Sequence, residues 1–209
     1  MKKYFFFTAL LMVIFFSTAL YAQQADVKKF YVGAGVSYAI EDFGDADFDG
    51  GDFDVSDFDN SWGLNVKVGY NLHPLLDIEF DFDYLDKFEY SDEFELLGIN
   101  IEGKADLNIM TYMIALKGYF PISTEKVKLS VVVGGGIMYA EIDSKVRVNG
   151  SSISYSYDET ELCGKIGLGL DFFATPDISF GIEGNYTLGF NDLEEIRYFN
   201  FTLGVAYHF

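Results

Sequence analysis

Phe199-Asn-Phe-Thr-Leu-Gly-Val-Ala-Tyr-His-Phe209 decides the fold. Its odd positions (Phe199, Phe201, Leu203, Val205, Tyr207, Phe209) are large and apolar. Asn200, Thr202, Gly204, Ala206 and His208 between them are small or polar. Side chains of a β-strand alternate between two faces, so this period of two makes one apolar and one polar face. Soluble sheets contain such strands too. Here the strand closes on an aromatic residue, in a chain whose other end reads as an export signal. Lys2 and Lys3 precede an apolar run from Tyr4 to Phe16, broken only by Thr8, and the small residues Ser17, Thr18, Ala19 and Ala22 follow. That order is the layout of a secretory signal peptide, and the run is shorter than the ~20 residues a spanning helix needs. Residues 1–22 are therefore read as a cleaved signal peptide and residues 23–209 as one domain placed in the outer membrane.

The same period recurs upstream. Phe30, Val32, Ala34, Val36, Tyr38 and Ile40 form one apolar row; Trp62, Leu64, Val66, Val68, Tyr70 and Leu72 a second; Leu76, Ile78, Phe80, Phe82 and Tyr84 a third, with Asp77, Glu79, Asp81 and Asp83 opposite. Further rows begin at Met110, Leu129, Leu162 and Ile178, and the terminal strand is the eighth. Eight strands, an even number, with aromatics towards both ends of the rows, predict an all-β fold: a closed antiparallel eight-stranded transmembrane barrel, apolar side to lipid and polar side to the interior. Closure also removes the hazardous edges of such apolar strands.

Turn signals fall at His73-Pro74, Pro121 to Lys126 and Thr175-Pro176-Asp177. Longer connections are expected over residues 41–60, 86–105 and 141–161, with a shorter one over 191–197. Bacterial barrels have short periplasmic turns and long outer loops, so both termini are expected in the periplasm. The opening strand Tyr31-Val-Gly-Ala-Gly-Val-Ser-Tyr38, the strand end Leu116-Lys-Gly-Tyr-Phe-Pro121 and the terminal Phe209 resemble the small eight-stranded outer-membrane barrels of the OmpA/OmpX/opacity-protein type. The resemblance runs through the whole of 23–209. It implies a porin-like barrel of the cell envelope; a peptidoglycan-binding domain after the barrel is not expected.

An eight-stranded barrel is just wide enough for its own side chains. Lys67, Lys117 and Lys165 share the predicted interior with Asp77, Glu79, Asp81, Asp83, Asp171 and Glu183. The turn near Pro74 sets Lys67 opposite Asp81, and the turn at Pro176 sets Lys165 diagonal to Glu183. Unpaired buried charges are costly, so a charged network of Lys67, Asp81, Lys117, Lys165, Glu183 and Asp171 is expected to plug the lumen. The excess of acids leaves open the alternative of a narrow path for small solutes or cations.

The chain has 33 acids, 14 bases and a formal net charge of −19, and most of the acids fall in the four outer connections. So acidic an exterior disfavours nucleic acid. It suits a hydrated, repulsive surface. In the first connection Phe43, Phe48, Phe53 and Phe58 recur every five residues, and Asp45-x-Asp47-x-Asp49-Gly50 matches the first half of a calcium loop. The twelfth position is Ser56 rather than the bidentate Glu, so whether Asp45, Asp47, Asp49 and Asp52 bind calcium stays open, and no metal is assigned. In the third, Asn149-Gly150 between Lys145-Val-Arg-Val148 and Ser151-Ser-Ile-Ser-Tyr155 signals a hairpin. Its residues Val146, Val148, Asn149, Gly150, Ile153 and Tyr155 form a candidate partner-binding edge.

Some barrels of this size act on lipid A with a histidine beside a serine or carboxylate near the outer leaflet. His73 and His208 both fall at the expected periplasmic end, and no nucleophile elbow or phosphate loop is present. No catalytic residue and no cofactor are assigned. The expected function is an outer-membrane surface protein, structural or adhesive. Its partners are membrane lipid or lipopolysaccharide and a surface or host ligand reached by the loops, and the barrel itself is expected to be a monomer. Cys163 is alone and reads as a packed small residue.

Overall fold

The computed structural model describes residues 28–42, 58–96, 99–122, 124, 126–148 and 151–209. Eight strands follow in order: β1 (Phe30–Glu41), β2 (Ser61–His73), β3 (Leu76–Leu96), β4 (Ile99–Tyr119), β5 (Val127–Val148), β6 (Ser151–Phe173), β7 (Ile178–Gly189) and β8 (Arg197–His208). Each pairs antiparallel with the next, and β1 pairs with β8 to close the barrel. Closure runs to the terminal residue. Phe30 and Phe209 exchange both backbone hydrogen bonds, and their rings stack at 6.0 Å. The proposed signal peptide and the calcium-like residues Asp45 to Asp52 lie outside the described residues.

The faces follow the alternation. Val32, Leu64, Phe80, Ile114, Val133, Leu168, Ile182 and Leu203 point outward and are exposed, whereas Asp77, Glu79, Asp81, Lys117, Lys165 and Glu183 point inward and are buried. A continuous apolar exterior of this extent belongs in lipid. Ring pairs band both ends of it, Phe30–Tyr70 and Tyr207–Phe209 at one end, Tyr38–Trp62 and Tyr186–Phe199 at the other. The first end also holds both described termini and the short turns after β2, β4 and β6; it is called the turn end, and the opposite one the loop end.

At the loop end the structure corrects the expected connections. Residues 86–105 are not a long loop. β3 and β4 continue paired to Leu96 and Ile99, and β5 and β6 continue to Val148 and Ser151. β3 to β6 therefore rise beyond the barrel as a four-stranded sheet. β6 leaves β7 at Cys163, so Ser151 to Leu162 extends about 40 Å past its neighbour at roughly 3.3 Å per residue. The strand pattern of residues 86–105 is hidden in the sequence by a β-bulge. Between Leu85 and Phe88 the register shifts, and Lys87 sits at φ 28°. One extra residue reverses which positions face inward, so Leu85 and Phe88 are both buried. The expected connection over 191–197 holds a 3-10 turn, Asn191–Leu193, which folds Leu193 back into the interior.

Candidate functional site

The interior has two layers. Across the middle and towards the turn end lies the charged layer. Each lysine has one close carboxylate: Lys67 Nζ is 3.0 Å from Glu183, Lys117 Nζ 2.9 Å from Asp171, and Lys165 Nζ 2.5 Å from Asp81. The pairs expected from the hairpins are also in range, but longer, Lys67 to Asp81 at 3.9 Å and Lys165 to Glu183 at 4.0 Å. All six residues of the expected lumen network thus come together, with the shortest contacts crossing the barrel rather than joining neighbouring strands. Glycine allows this. Gly33 faces Lys67 and Gly134 faces Lys165 on adjacent strands, and a Cβ at either would crowd the lysine stem at 3.1–3.2 Å. The stems lie over these glycines and reach inward.

Six inward carboxylates share this layer with Lys67, Lys117 and Lys165, and with Lys128 at the turn end. Neutral donors meet the surplus. Tyr31 donates its hydroxyl to Glu79, Tyr119 donates to Asp77 at 2.8 Å, and Asn185 donates to Glu183 at 2.9 Å. Asp83 accepts from Asn65 at 2.8 Å and from Thr111 and Asn200 at 3.5 Å each. Charge counting had singled out none of these donors. Their signal was their inward register, which the alternation already carried. At the turn end Lys128 lies over the rings of Tyr119 and Phe173, 4.9 Å from each. The space left is a cavity of about 40 Å³ bordered by Tyr31, Lys67, Lys117 and Glu183, room for water rather than for an organic ligand.

Towards the loop end the lumen turns apolar. Ala39, Leu85, Phe88, Leu107, Ile109, Met113, Met138, Ala140, Cys163, Leu193 and Tyr198 form one buried cluster, and Phe58 and Ile196 pack on it. Phe88, Leu85, Ile109 and Met138 have no accessible surface. This second layer was not anticipated, because the sequence reading placed charge throughout the lumen.

His73 and His208 both lie at the turn end. His208 meets Ser179 at 2.8 Å between Nε2 and Oγ, and its ring leans on Tyr31 and Phe173 at 5.0 Å. Its Nδ1 has no carboxylate partner among the described hydrogen bonds.

The protruding sheet is two-faced. Ile153 and Tyr157 of β6 lie opposite Val146 and Ile142 of β5, and Ile142 in turn lies opposite the buried Leu107. This face therefore continues the barrel interior. Ile153, Tyr155 and Tyr157 are 58–66% exposed and Val146 is 40% exposed. Asn149 and Gly150, at the expected tip, lie outside the described residues, as does the side chain of Val148. The opposite face carries the charge. Lys87 pairs with Asp106 at 3.3 Å, and Glu102 accepts from both Lys104 and Arg147 at 3.1 Å. Those two cations hold the Glu102 carboxyl below the usual carboxylate range, mainly through the Lys104 hydrogen bond.

Residues 8–209 match the family described as "Outer membrane protein beta-barrel domain". Among solved structures, the outer membrane protein OprG of Pseudomonas aeruginosa is similar, with TM-score 0.54 and 18% identity over 88% of this chain and 96% of that one. The attachment invasion locus protein Ail of Yersinia pestis aligns with TM-score 0.53 and 20% identity over 88% of this chain and 100% of Ail. Neisserial surface protein A aligns with TM-score 0.52 and 15% identity, covering 86% and 97%. At such identities the likeness is one of fold. Comparison with curated proteins finds no match.

Proposed function

The chain belongs to the outer membrane protein β-barrel family, and from that premise we propose that it is a surface protein of the bacterial outer membrane, closed to solute flow, that contacts partners through its protruding sheet. In this reading the turn end and both termini are periplasmic and the β3–β6 extension stands outside the cell. The role is structural or adhesive rather than enzymatic.

One observation carries the reading. Beyond the barrel, residues 152–160 of β6 pair with β5 alone among the described residues, so one edge of backbone donors and acceptors is open. Residues 151–157 carry no charge in a chain of net charge −19, and Ile153, Tyr155 and Tyr157 stand exposed beside that edge. An open, uncharged edge beside exposed aromatics suits strand addition by a partner. The likeness to Ail, an attachment invasion locus protein, makes attachment the class of role to test.

The test has two arms. Deletion of residues 145–156, with the heat-dependent gel shift of the barrel retained, is expected to abolish cell-surface attachment; undiminished attachment refutes the adhesive role. In planar bilayers the protein is expected to show no sustained conductance, because the apolar layer around Phe88 and Tyr198 fills the lumen above the charged one. Steady cation-selective conductance would favour the narrow pore instead.

A further inference from the structure

Among the described residues, Asp77 and Asp83 are the two inward carboxylates of the charged layer that make no ion pair; the other four each lie within 4.0 Å of a lysine. Asp77 lies towards the turn end and takes the Tyr119 hydroxyl. Asp83 lies at the opposite limit of the layer, where the next inward residue of its strand, Leu85, begins the apolar one. Three neutral donors converge on it, Asn65 at 2.8 Å and Thr111 and Asn200 at 3.5 Å each. Such a set suits an anion, since an ionised carboxylate only accepts. A buried anion without a counter-charge is costly. The two amides are fixed by the same contact. Each turns its nitrogen to Asp83, and its oxygen, about 2.2 Å from that nitrogen by covalent geometry, lies close by. Neither Asn65 Oδ1 nor Asn200 Oδ1 has a hydrogen-bond partner among the described residues. The same is true of the Oδ1 of Asn185, which lies directly across the ladder from Asn200. All three asparagines are only 2–5% exposed, and a buried oxygen without a donor is costly too.

We propose that this niche binds a monovalent metal cation, held without its water shell by the Asp83 carboxylate and the amide oxygens of Asn65 and Asn200, with Asn185 beside them. The ion supplies the counter-charge that Asp83 lacks and a positive partner for oxygens that have no donor. Carboxylate and carbonyl oxygens are the ligands of hard cations. One carboxylate among neutral oxygens matches a single positive charge, whereas calcium sites recruit several carboxylates. The ion is structural. On the loop side Leu85, Ile109 and Tyr198 cover the niche with the apolar layer. On the turn side the small cavity that reaches Asn65 is bordered by Lys67 and Lys117, whose charge repels a cation. The ion is therefore taken up as the barrel closes and is retained rather than passed. The site lies wholly within the barrel and does not depend on what the protruding sheet contacts.

The experiment uses the full barrel, unfolded in urea and refolded into zwitterionic vesicles in sodium, potassium or choline chloride of equal ionic strength. Sodium or potassium is expected to raise the urea midpoint saturably. At about ten times Kd the unfolding constant should be roughly tenfold smaller than in choline. Asp83→Asn keeps the shape and removes the charge. It should lose the rise and be at least as stable in choline as the parent. Asp77→Asn alters the other carboxylate without an ion pair and should keep the rise. Gel mobility before and after boiling confirms that each variant is folded. Thallous ion serves as a direct monovalent probe. In crystals of the parent it should give an anomalous peak in contact with Asp83, Asn65 and Asn200, a result that supports the site even where Asp83→Asn does not fold. A parent midpoint indifferent to the cation, a rise that survives Asp83→Asn, a rise lost in Asp77→Asn, or no thallous peak at Asp83 overturns the proposal.

Discussion

Replacing Lys165 by Met tests whether the interior is an interdependent ionic network. Lys165 is 5% exposed and Asp81 fully buried, and their charged atoms are 2.5 Å apart. Met keeps most of the stem volume, so the main loss is the charge. Asp81 is then left with Lys67 at 3.9 Å, a cation already committed to Glu183 at 3.0 Å and Glu79 at 4.0 Å. Removing one partner of a buried pair leaves the other charge uncompensated and costs about 3–5 kcal/mol. At roughly 1.4 kcal/mol per factor of ten, that is between two and four powers of ten in the unfolding equilibrium. The assay is urea unfolding of the barrel refolded in phospholipid vesicles, followed by emission of the single tryptophan, Trp62, which is 64% exposed on the outward face. Lys165→Met combined with Asp81→Leu removes both charges and should recover most of the loss. A single variant within about 1 kcal/mol of the parent would refute the reasoning, since the expected cost is several times larger. So would a double variant as unstable as the single one.

Two further outcomes follow from local geometry. A Cβ on Gly69 would overlap the ring of Tyr31, its direct cross-strand partner, whose hydroxyl is tied to Glu79; Gly69→Ala should therefore cost about 1–3 kcal/mol, read as a lower urea midpoint, and an unchanged midpoint would mean the ring moves freely. The Glu102 carboxyl is held below its usual range by Lys104 and Arg147, so its contribution is present at neutral pH and is lost as pH falls through that lowered value. Trypsin cleavage at Arg147 of pre-equilibrated, pulse-treated protein should stay slow down to about pH 4.3, the ordinary glutamate value, and amide exchange of the hairpin should rise only below it; a rise beginning near pH 6 would contradict the pairing.

Much of the charged site was legible in the sequence because an inward register needs only parity. Lys67, Asp81, Lys117, Lys165, Asp171 and Glu183 all sit on the polar side of their strands. Their actual contacts were less legible. Hairpin reasoning pairs residues on adjacent strands, whereas Lys67 to Glu183 joins β2 to β7 and Lys165 to Asp81 joins β6 to β3. Such contacts depend on which strands face each other after closure. The neutral donors Tyr31, Tyr119 and Asn65 carry no charge that marks them in the sequence, and only their contacts with Glu79, Asp77 and Asp83 show their part. The apolar layer is not legible because Leu85, Ile109, Met113 and Met138 come from three strands, β3, β4 and β5, whose convergence the sequence does not show.

The sequence by itself determined the number of strands, the face of each side chain within the eight barrel rows, the short turns and the aromatic end of the last strand at Phe209, because alternation and turn chemistry act over a few residues. The tertiary structure alone decided the cross-lumen ion pairs, the division of the interior into charged and apolar layers, and the rise of β3 to β6 beyond the barrel. Those depend on barrel closure, on glycines that admit a lysine stem from the next strand, and on one bulge at Lys87 that re-aims the rest of β3. Each is a relation between residues far apart in the chain, which a period of two cannot encode.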